Sequence, residues 1–182
     1  MKKGIIIIIC VLVILIGIIA WGFFNAEDEV INVNPEIVPQ EEISEDQMRS
    51  TLVLLYFVNK ETGEIVPESK LIDVKDLMEN PYKKLIELWL CGSSNEKYTN
   101  FCGKNVELNS VKNENGVVKI DFSKSFVDEF TGGSEDVLKA INALVNTLTE
   151  LTEVEYAQIL INGEENVYLN GINLSEKYCR IK

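Results

Sequence analysis

An unbroken apolar run at the start of the chain constrains everything that follows it. Residues 4–24, from Gly4 to Phe24, contain neither a charge nor a proline. A helix rises about 1.5 Å per residue, so this run would span roughly 31 Å, about the hydrocarbon thickness of a bilayer. We therefore predict a transmembrane signal anchor over residues 1–24.

The charges on either side of this run predict its orientation. Lys2 and Lys3 precede it, and the acidic stretch Glu27–Glu29 follows it. Because positive flanks are retained on the cytoplasmic side, the amino terminus should stay inside and the chain beyond Phe24 should be extracytoplasmic.

Two alternatives to a retained anchor stay open. A cleaved signal peptide would have an apolar core of about 7–15 residues and a small-x-small cleavage site, but the best exit, after Ala20, has Ile18 where a small residue belongs. Lipidation at Cys10 is the other alternative, although the apolar run continues well beyond that cysteine.

Residues 25–50 differ abruptly in composition from the run before them. They hold eight acidic residues against Arg49, and two of the four prolines in the chain. Such a segment buries too little apolar surface to offset its chain entropy, and its charges keep it extended. We predict an acidic flexible tether, with an acidic recognition arm as the alternative.

Residues 51–182 are long enough for one domain with a hydrophobic core. Their 14 basic and 21 acidic residues leave a net charge of −7. An acidic surface repels phosphate, so we predict no nucleic-acid partner. Histidine is absent from the chain, which removes the commonest general base near neutral pH and the commonest zinc ligand.

Periodicity in this domain predicts the order strand, helix, hairpin, helix, strand. Residues 51–58 are apolar on both faces, as in an inner strand, and short edge segments are expected around Pro67. Asn80-Pro81 marks the start of a helix that should end at Gly92. Asn115-Gly116 supplies the positive φ angles of a hairpin turn.

The second half of the domain continues this pattern. Ser134 is the expected cap of a helix whose apolar stripe runs from Val137 to Leu148. Residues 156–161 form a last strand, and Asn-Gly turns follow at 162–163 and 170–171. We predict an α+β fold, a small mixed sheet with both helices on one face.

Two stretches of the domain match a nucleophile motif and an anion site only weakly. Ser94 and Lys97 have the spacing of a serine–lysine pair, but their stretch is typical of a solvated loop. Residues 131–134, Thr-Gly-Gly-Ser, have backbone N–H groups that could bind an anion, but helix capping explains them better.

The carboxylates give no stronger signal. Asp121, Asp128 and Glu129 would have to converge to act as a hydrolytic pair, but alternation puts Asp121 on a polar strand face. Tyr82 and Trp89 fall on apolar stripes, which favours core packing. We predict no catalytic, cofactor or metal site.

Four segments, in order and at matching intervals, resemble the GerM-type sporulation and spore germination domain (GerMN domain). They are Leu55–Phe57, Gly116–Ser123, Asn146–Glu150 and Gln158–Gly163. The resemblance covers residues 51 to about 175. It implies an extracytoplasmic, membrane-tethered domain in a bacterial cell membrane, similar in fold to the ring-building motifs of secretion-type assemblies and without catalytic activity.

The anchor, the tether and the resemblance together predict a non-enzymatic scaffold or assembly domain linked to sporulation or germination. Its expected partner is another envelope protein. A module that binds cell wall or another extracellular ligand is the alternative, and a hydrolytic enzyme is the third hypothesis. Because identical domains of charge −7 repel one another at low salt, the isolated domain should be monomeric in dilute solution.

The chain departs from the family pattern at two cysteines. Cys91 lies in Trp89–Ser93, where the family has Leu-Leu-Ala-Gly-Pro, and Cys102 stands where a proline usually opens the next strand. Disulfides persist outside the membrane, so a structural disulfide between Cys91 and Cys102 is a candidate. Pairing of either with Cys179, and free thiols at both, are the open alternatives.

Overall fold

A computed structural model of the protein describes residues 49–180. The anchor predicted for residues 1–24, and all but the last two residues of the tether predicted for 25–50, lie outside that range. Within it, no helix is long and apolar enough to cross a membrane.

The described part of the chain forms strands and helices in the order β1 Ser50–Asn59, β2 Ile65–Asp73, α1 Val74–Glu79, α2 Pro81–Leu90, β3 Tyr98–Thr99, β4 Leu108–Glu114, β5 Val117–Phe122, α3 Ser125–Asp128, α4 Ser134–Leu148, β6 Tyr156–Ile161, β7 Tyr168–Leu169, β8 Ile172–Asn173 and β9 Tyr178–Cys179. The predicted α+β class is confirmed. The short helices α1 and α3 were not predicted, because each is too short to show a helical period.

The strands divide between two main sheets, and the expectation of a single sheet was wrong. One sheet has the order β2-β1-β3, the other has the order β4-β5-β6-β9, and β7 and β8 form a small hairpin. The pair β5–β6 is parallel. The sheets stay separate because β1 meets β3 only at Val58 and Asn59, and farther along the same edge its Tyr56 N–H is bound by the Thr147 hydroxyl of α4.

The core lies between these sheets and the helices α2 and α4. Trp89 of α2 is fully buried, and its indole Nε1 donates to the Tyr56 carbonyl of β1 at 2.9 Å. The Asn100 amide donates to the Trp89 carbonyl at 2.7 Å. These bonds satisfy polar groups that burial would otherwise leave unpaired, so the prediction that Trp89 packs in the core is confirmed.

Local signals in the sequence placed most turns and helix ends correctly. The Asn80 side chain accepts from the Lys83 N–H and Pro81 opens α2, and Gly92 follows that helix with a φ of 82°. At Asn115-Gly116 both φ angles are positive, 54° and 83°, as a tight hairpin turn requires.

Two local predictions were wrong. Gly133, not Ser134, is the cap of α4, because the Gly133 N–H is bound at 2.9 Å by the Asp136 carboxylate one turn later. The short segments expected around Pro67 form one continuous strand, β2. Pro67 is tolerated there because β2 is the outer strand of its sheet, where a missing N–H breaks no ladder bond.

Candidate functional site

The outer face of the β1–β2 hairpin is apolar and largely exposed. Leu52 and Leu71 are direct partners in the ladder, and they are 67% and 65% exposed. Alternation places Leu54 and Tyr56 of β1 on the same face, opposite Ser69 and Pro67 of β2. We call these side chains, Leu52, Leu54, Tyr56, Pro67, Ser69 and Leu71, the hairpin face.

The inner face of the same hairpin is buried. Leu55 is 1% exposed and Phe57 is fully buried, and both belong to the hydrophobic core. β1 therefore has apolar side chains on two faces, and the second face stays open at Leu52, whereas Val58 at its other end is buried. Contiguous exposed apolar surface commonly marks a contact site, so the hairpin face is the candidate interaction site.

The apolar pattern of β1 predicted an inner strand but did not reveal which of its faces stays open. Pro67 was the available signal, since a proline within a strand indicates a sheet edge. Met78, in the helix that directly follows β2, is 79% exposed. It adds a further exposed apolar side chain next to the hairpin in sequence.

A carboxylate on the inner face fixes β2 to the segment after α2. Glu68 accepts hydrogen bonds from the Ser94 N–H at 3.1 Å and the Ser94 hydroxyl at 2.8 Å, and from the Ser93 hydroxyl. Burial raises the pKa of Glu68, but the bonds from Ser93 and Ser94 outweigh it and hold the pKa below its ordinary value. Negative charge on Glu68 is therefore favoured in the fold.

A three-residue cluster includes the Tyr56 side chain of the hairpin face. The Tyr56 hydroxyl donates to the Glu150 carboxylate at 2.8 Å, and Arg180 donates to the same carboxylate and to the Tyr56 oxygen, each at 2.7 Å. The guanidinium also lies 5.3 Å from the centre of the Tyr56 ring. The cluster joins β1, the turn after α4 and the residue after β9.

Burial and the contacts within this cluster shift the pKa of both Tyr56 and Glu150. Burial, followed by the contacts with Glu150, raises the pKa of Tyr56. Burial raises the pKa of Glu150, but the bonds from Arg180 and Tyr56 outweigh it and lower the pKa below its ordinary value. At neutral pH the phenol is therefore protonated and the carboxylate charged, as the bonding pattern requires.

The serine–lysine pair is not assembled in the structure. The Ser94 hydroxyl is bound to Glu68, whereas the Lys97 ammonium lies 3.5 Å from a Glu61 oxygen. In residues 131–134, the Gly133 N–H is bound to Asp136 and the Thr131 N–H donates to the Phe101 carbonyl. The backbone N–H groups at these two positions serve the fold, in agreement with helix capping.

The three carboxylates considered as a hydrolytic group have three different partners. Asp121 accepts from the Gly163 N–H at 2.7 Å, Asp128 lies 3.6 Å from the Lys124 ammonium, and Glu129 accepts from the Asn105 amide at 2.8 Å. Among residues 49–180, no group of three or more His, Cys, Asp or Glu side chains is placed to hold a metal ion.

The three cysteines among residues 49–180 are free thiols in the structure. Cys91 is exposed at the end of α2 and Cys179 is exposed in β9. The Cys102 thiol lies 3.4 Å from the Asn100 carbonyl, and burial raises its pKa. The candidate disulfide between Cys91 and Cys102 is not formed here and stays a prediction.

A cleft of about 310 Å³ lies where the parallel strands β5 and β6 end. Val127, Ile161 and Val167 supply its apolar lining, and Lys124, Asn162 and Glu164 its polar lining. The one cation among these residues, Lys124, is already paired with Asp128. The cleft therefore offers no assembled set of groups comparable with the exposed hairpin face.

The fold and the hairpin face define a small α+β domain that exposes an apolar strand face. A family model described as Germane, sporulation and spore germination, matches residues 54–167. The chain belongs to this Germane family of sporulation and spore germination domains, which confirms the resemblance seen in the sequence.

Solved structures share the fold. The tandem GerMN domains of the sporulation protein GerM from Bacillus subtilis match with a TM-score of 0.61 at 24% identity, over 74% of this chain and 47% of that one. The first GerMN domain of the same protein matches with a TM-score of 0.57 at 21% identity, over 71% of this chain and 98% of that one.

A putative lipoprotein from Clostridium perfringens also matches, with a TM-score of 0.50 at 15% identity, over 72% of this chain and 89% of that one. No curated protein sequence matches the chain. The matched part of the chain thus corresponds to about half of the tandem-domain protein and to nearly all of one GerMN domain.

Proposed function

We propose that this protein is a non-enzymatic, membrane-anchored scaffold or assembly domain that acts in sporulation or spore germination outside the cytoplasm. Residues 1–24 hold it in the bacterial cell membrane, residues 25–50 set its reach, and residues 51–182 bind another envelope protein. Membership of the sporulation and spore germination family supports a role in one of these two processes.

The observation that carries the interaction role is the exposure of Leu52 and Leu71. A surface leucine alone needs no explanation, but here two are paired across a ladder and each is about two-thirds exposed. Burying such a pair under a partner would remove apolar surface from water, and this would favour binding by about 25 cal/mol per Å² of apolar surface buried. The hairpin face is therefore the surface through which we expect the partner to bind.

The charge of the domain indicates the chemistry of that partner. The net charge of −7 over residues 51–182 repels other acidic proteins, attracts basic ones and does not repel neutral ones. The partner should therefore present an apolar patch with a neutral or basic rim. Mutation of its rim would change the association rate and its salt dependence more than the final affinity.

Capture from detergent extracts of the cell envelope tests this proposal. The full chain should retain a specific envelope protein, and the double variant Leu52→Ser/Leu71→Ser should lose it. Tyr168→Ser is the matched control, because Tyr168 is 61% exposed but belongs to the separate β7–β8 hairpin. It should retain the partner.

Wall binding is distinguished in the same experiment. Purified wall fragments are sedimented with the full chain, and the proposal expects no saturable binding. Saturable binding of wall fragments that is insensitive to the leucine substitutions, without capture of any envelope protein, would contradict the proposed function.

A further inference from the structure

The open edge of β2 has a defined set of outward backbone groups. At one end of the ladder the Asn59 N–H donates to the Glu64 carbonyl, and at the other the Val74 N–H donates to the Arg49 carbonyl. In an antiparallel ladder, hydrogen-bonded and non-bonded pairs alternate. Odd-numbered residues of β1 therefore bond to β2. The β2 residues opposite even-numbered β1 residues direct their backbone N–H and C=O groups away from β1, toward the open edge.

This alternation assigns the outward positions of β2 as Ile65, Pro67, Ser69, Leu71 and Asp73. An independent observation supports it: the Tyr56 N–H, at an even position of β1, points away from β2 and reaches Thr147. Pro67, Ser69, Leu71 and Asp73 are exposed, and Ile65 is half-buried. Within residues 49–180 no strand pairs with this edge.

The residues along this edge are complementary to themselves in one antiparallel register. With the twofold axis at Ser69, Lys70 of one copy faces Glu68 of the other, and Leu71 faces Pro67. Opposite charges across a strand pair stabilise it, whereas like charges destabilise it. In this register Ser69 of one copy pairs with Ser69 of the other, so that each copy donates one backbone hydrogen bond to the other at that position.

The neighbouring registers do not share this complementarity. An axis at Lys70 places the two lysines opposite each other, and an axis at Glu68 does the same with two carboxylates. An axis at Pro67 removes the central hydrogen bonds, because proline has no N–H. Of the registers with the axis at Pro67, Glu68, Ser69 or Lys70, the one centred on Ser69 is therefore the one that charge and hydrogen bonding favour.

We propose that two copies of this chain pair through their β2 edges in an antiparallel register centred on Ser69. The pairing extends the β2-β1-β3 sheet across the twofold axis and places two hairpin faces side by side. It goes beyond the proposed function, because the dimer uses the strand edge, whereas the envelope partner uses the leucine pair on the face.

The pairing is weak in dilute solution and strengthened at a membrane. Two domains of charge −7 repel each other, and each Leu71–Pro67 pair supplies one hydrogen bond instead of two. Copies anchored in one membrane have a much higher effective concentration. The isolated domain thus stays monomeric at low concentration while anchored copies pair.

Cysteine crosslinking of the full chain, reconstituted in vesicles, tests the register. The four native cysteines are first replaced by serine or alanine, and Ser69→Cys is then introduced. Residues in a hydrogen-bonded antiparallel pair have Cα atoms about 5.5 Å apart, within the range of about 4.4–6.8 Å that a disulfide accepts. Under mild oxidation Ser69→Cys should form a covalent dimer.

Two further variants fix the register. Leu71→Cys alone and Pro67→Cys alone should not crosslink, because identical residues two positions from the axis lie about 13 Å apart. A mixture of these two variants should form a mixed dimer. Lys70→Glu in the Ser69→Cys background should weaken the pairing roughly tenfold, since both cross-strand charge pairs become repulsive.

The proposal is overturned if Ser69→Cys crosslinks no better than Glu61→Cys, an equally introduced cysteine in the exposed β1–β2 turn. It is also overturned if Leu71→Cys alone crosslinks as well as Ser69→Cys. Either result leaves the leucine-dependent capture of an envelope protein untouched, so failure of the dimer and failure of the proposed function are separate outcomes.

Discussion

Thr147 joins α4 to the edge of β1, and its replacement by valine gives a quantitative test of the fold. The Thr147 side chain is fully buried. Its hydroxyl accepts from the Tyr56 N–H at 2.9 Å and donates to the Ala143 carbonyl at 2.9 Å. Valine has nearly the same shape but no oxygen, so Thr147→Val leaves the Tyr56 N–H without this acceptor.

A buried donor left unsatisfied costs about 1–3 kcal/mol, and the bond from the Tyr56 N–H is partly buried. For a domain of this size, each kcal/mol lowers the melting temperature by about 4 °C, so Thr147→Val should lower it by about 4–12 °C. Urea unfolding of residues 49–182 can be followed by the fluorescence of Trp89, the one tryptophan in that range.

Thr149→Val is the matched control. The Thr149 hydroxyl bonds only within α4 and its end, to the Val145 and Asn146 carbonyls, so its loss should cost less than about 1 kcal/mol. If Thr147→Val unfolds within about 0.5 kcal/mol of the wild type, or if Thr149→Val loses as much, the assigned role of Thr147 is wrong.

Three further predictions concern charge, thiols and topology. The folded pKa of Glu150 lies below its ordinary value of 4.5, so its contribution to stability is present above pH 4.5 and is lost as the pH falls through the folded pKa. Glu150→Gln should therefore reduce the loss of unfolding free energy between neutral and acid pH, measured by urea unfolding. An unchanged pH dependence would contradict this. We predict a disulfide between Cys91 and Cys102 in the envelope. Peptide mapping of the unreduced chain should show the two linked, and free alkylation at both positions would exclude the disulfide. The full chain should stay in membranes after high-salt and alkaline washes with its amino-terminal peptide intact, whereas a mature chain that begins near Trp21 would refute the anchor.

The sequence was most informative where structure depends on neighbouring residues. Asn80-Pro81 marked a helix start because capping and a fixed proline φ act within one turn. Asn115-Gly116 marked a hairpin because few other residues adopt two successive positive φ angles. The cap of α4 was misassigned because Gly133 and Ser134 are both acceptable caps, and the Asp136 side chain decides between them.

Features that depend on distant residues could not be predicted in this way. The division into two sheets follows from what occupies each edge of β1, including a hydroxyl contributed by Thr147, 91 residues away from Tyr56. The Tyr56–Glu150–Arg180 cluster joins residues 94 and 124 positions apart. The exposure of Leu52 and Leu71 is of the same kind, since an apolar strand does not show which face the fold covers.

The central claim is that an envelope protein binds the hairpin face, and site-specific photocrosslinking in intact sporulating or germinating cells tests it most directly. A photoreactive amino acid replaces Leu71 in one variant and Tyr168 in another, both at exposed positions. We predict that the probe at position 71 captures a specific envelope protein, and that the probe at position 168 does not. No adduct at position 71, or the same adducts at both positions, would contradict the account.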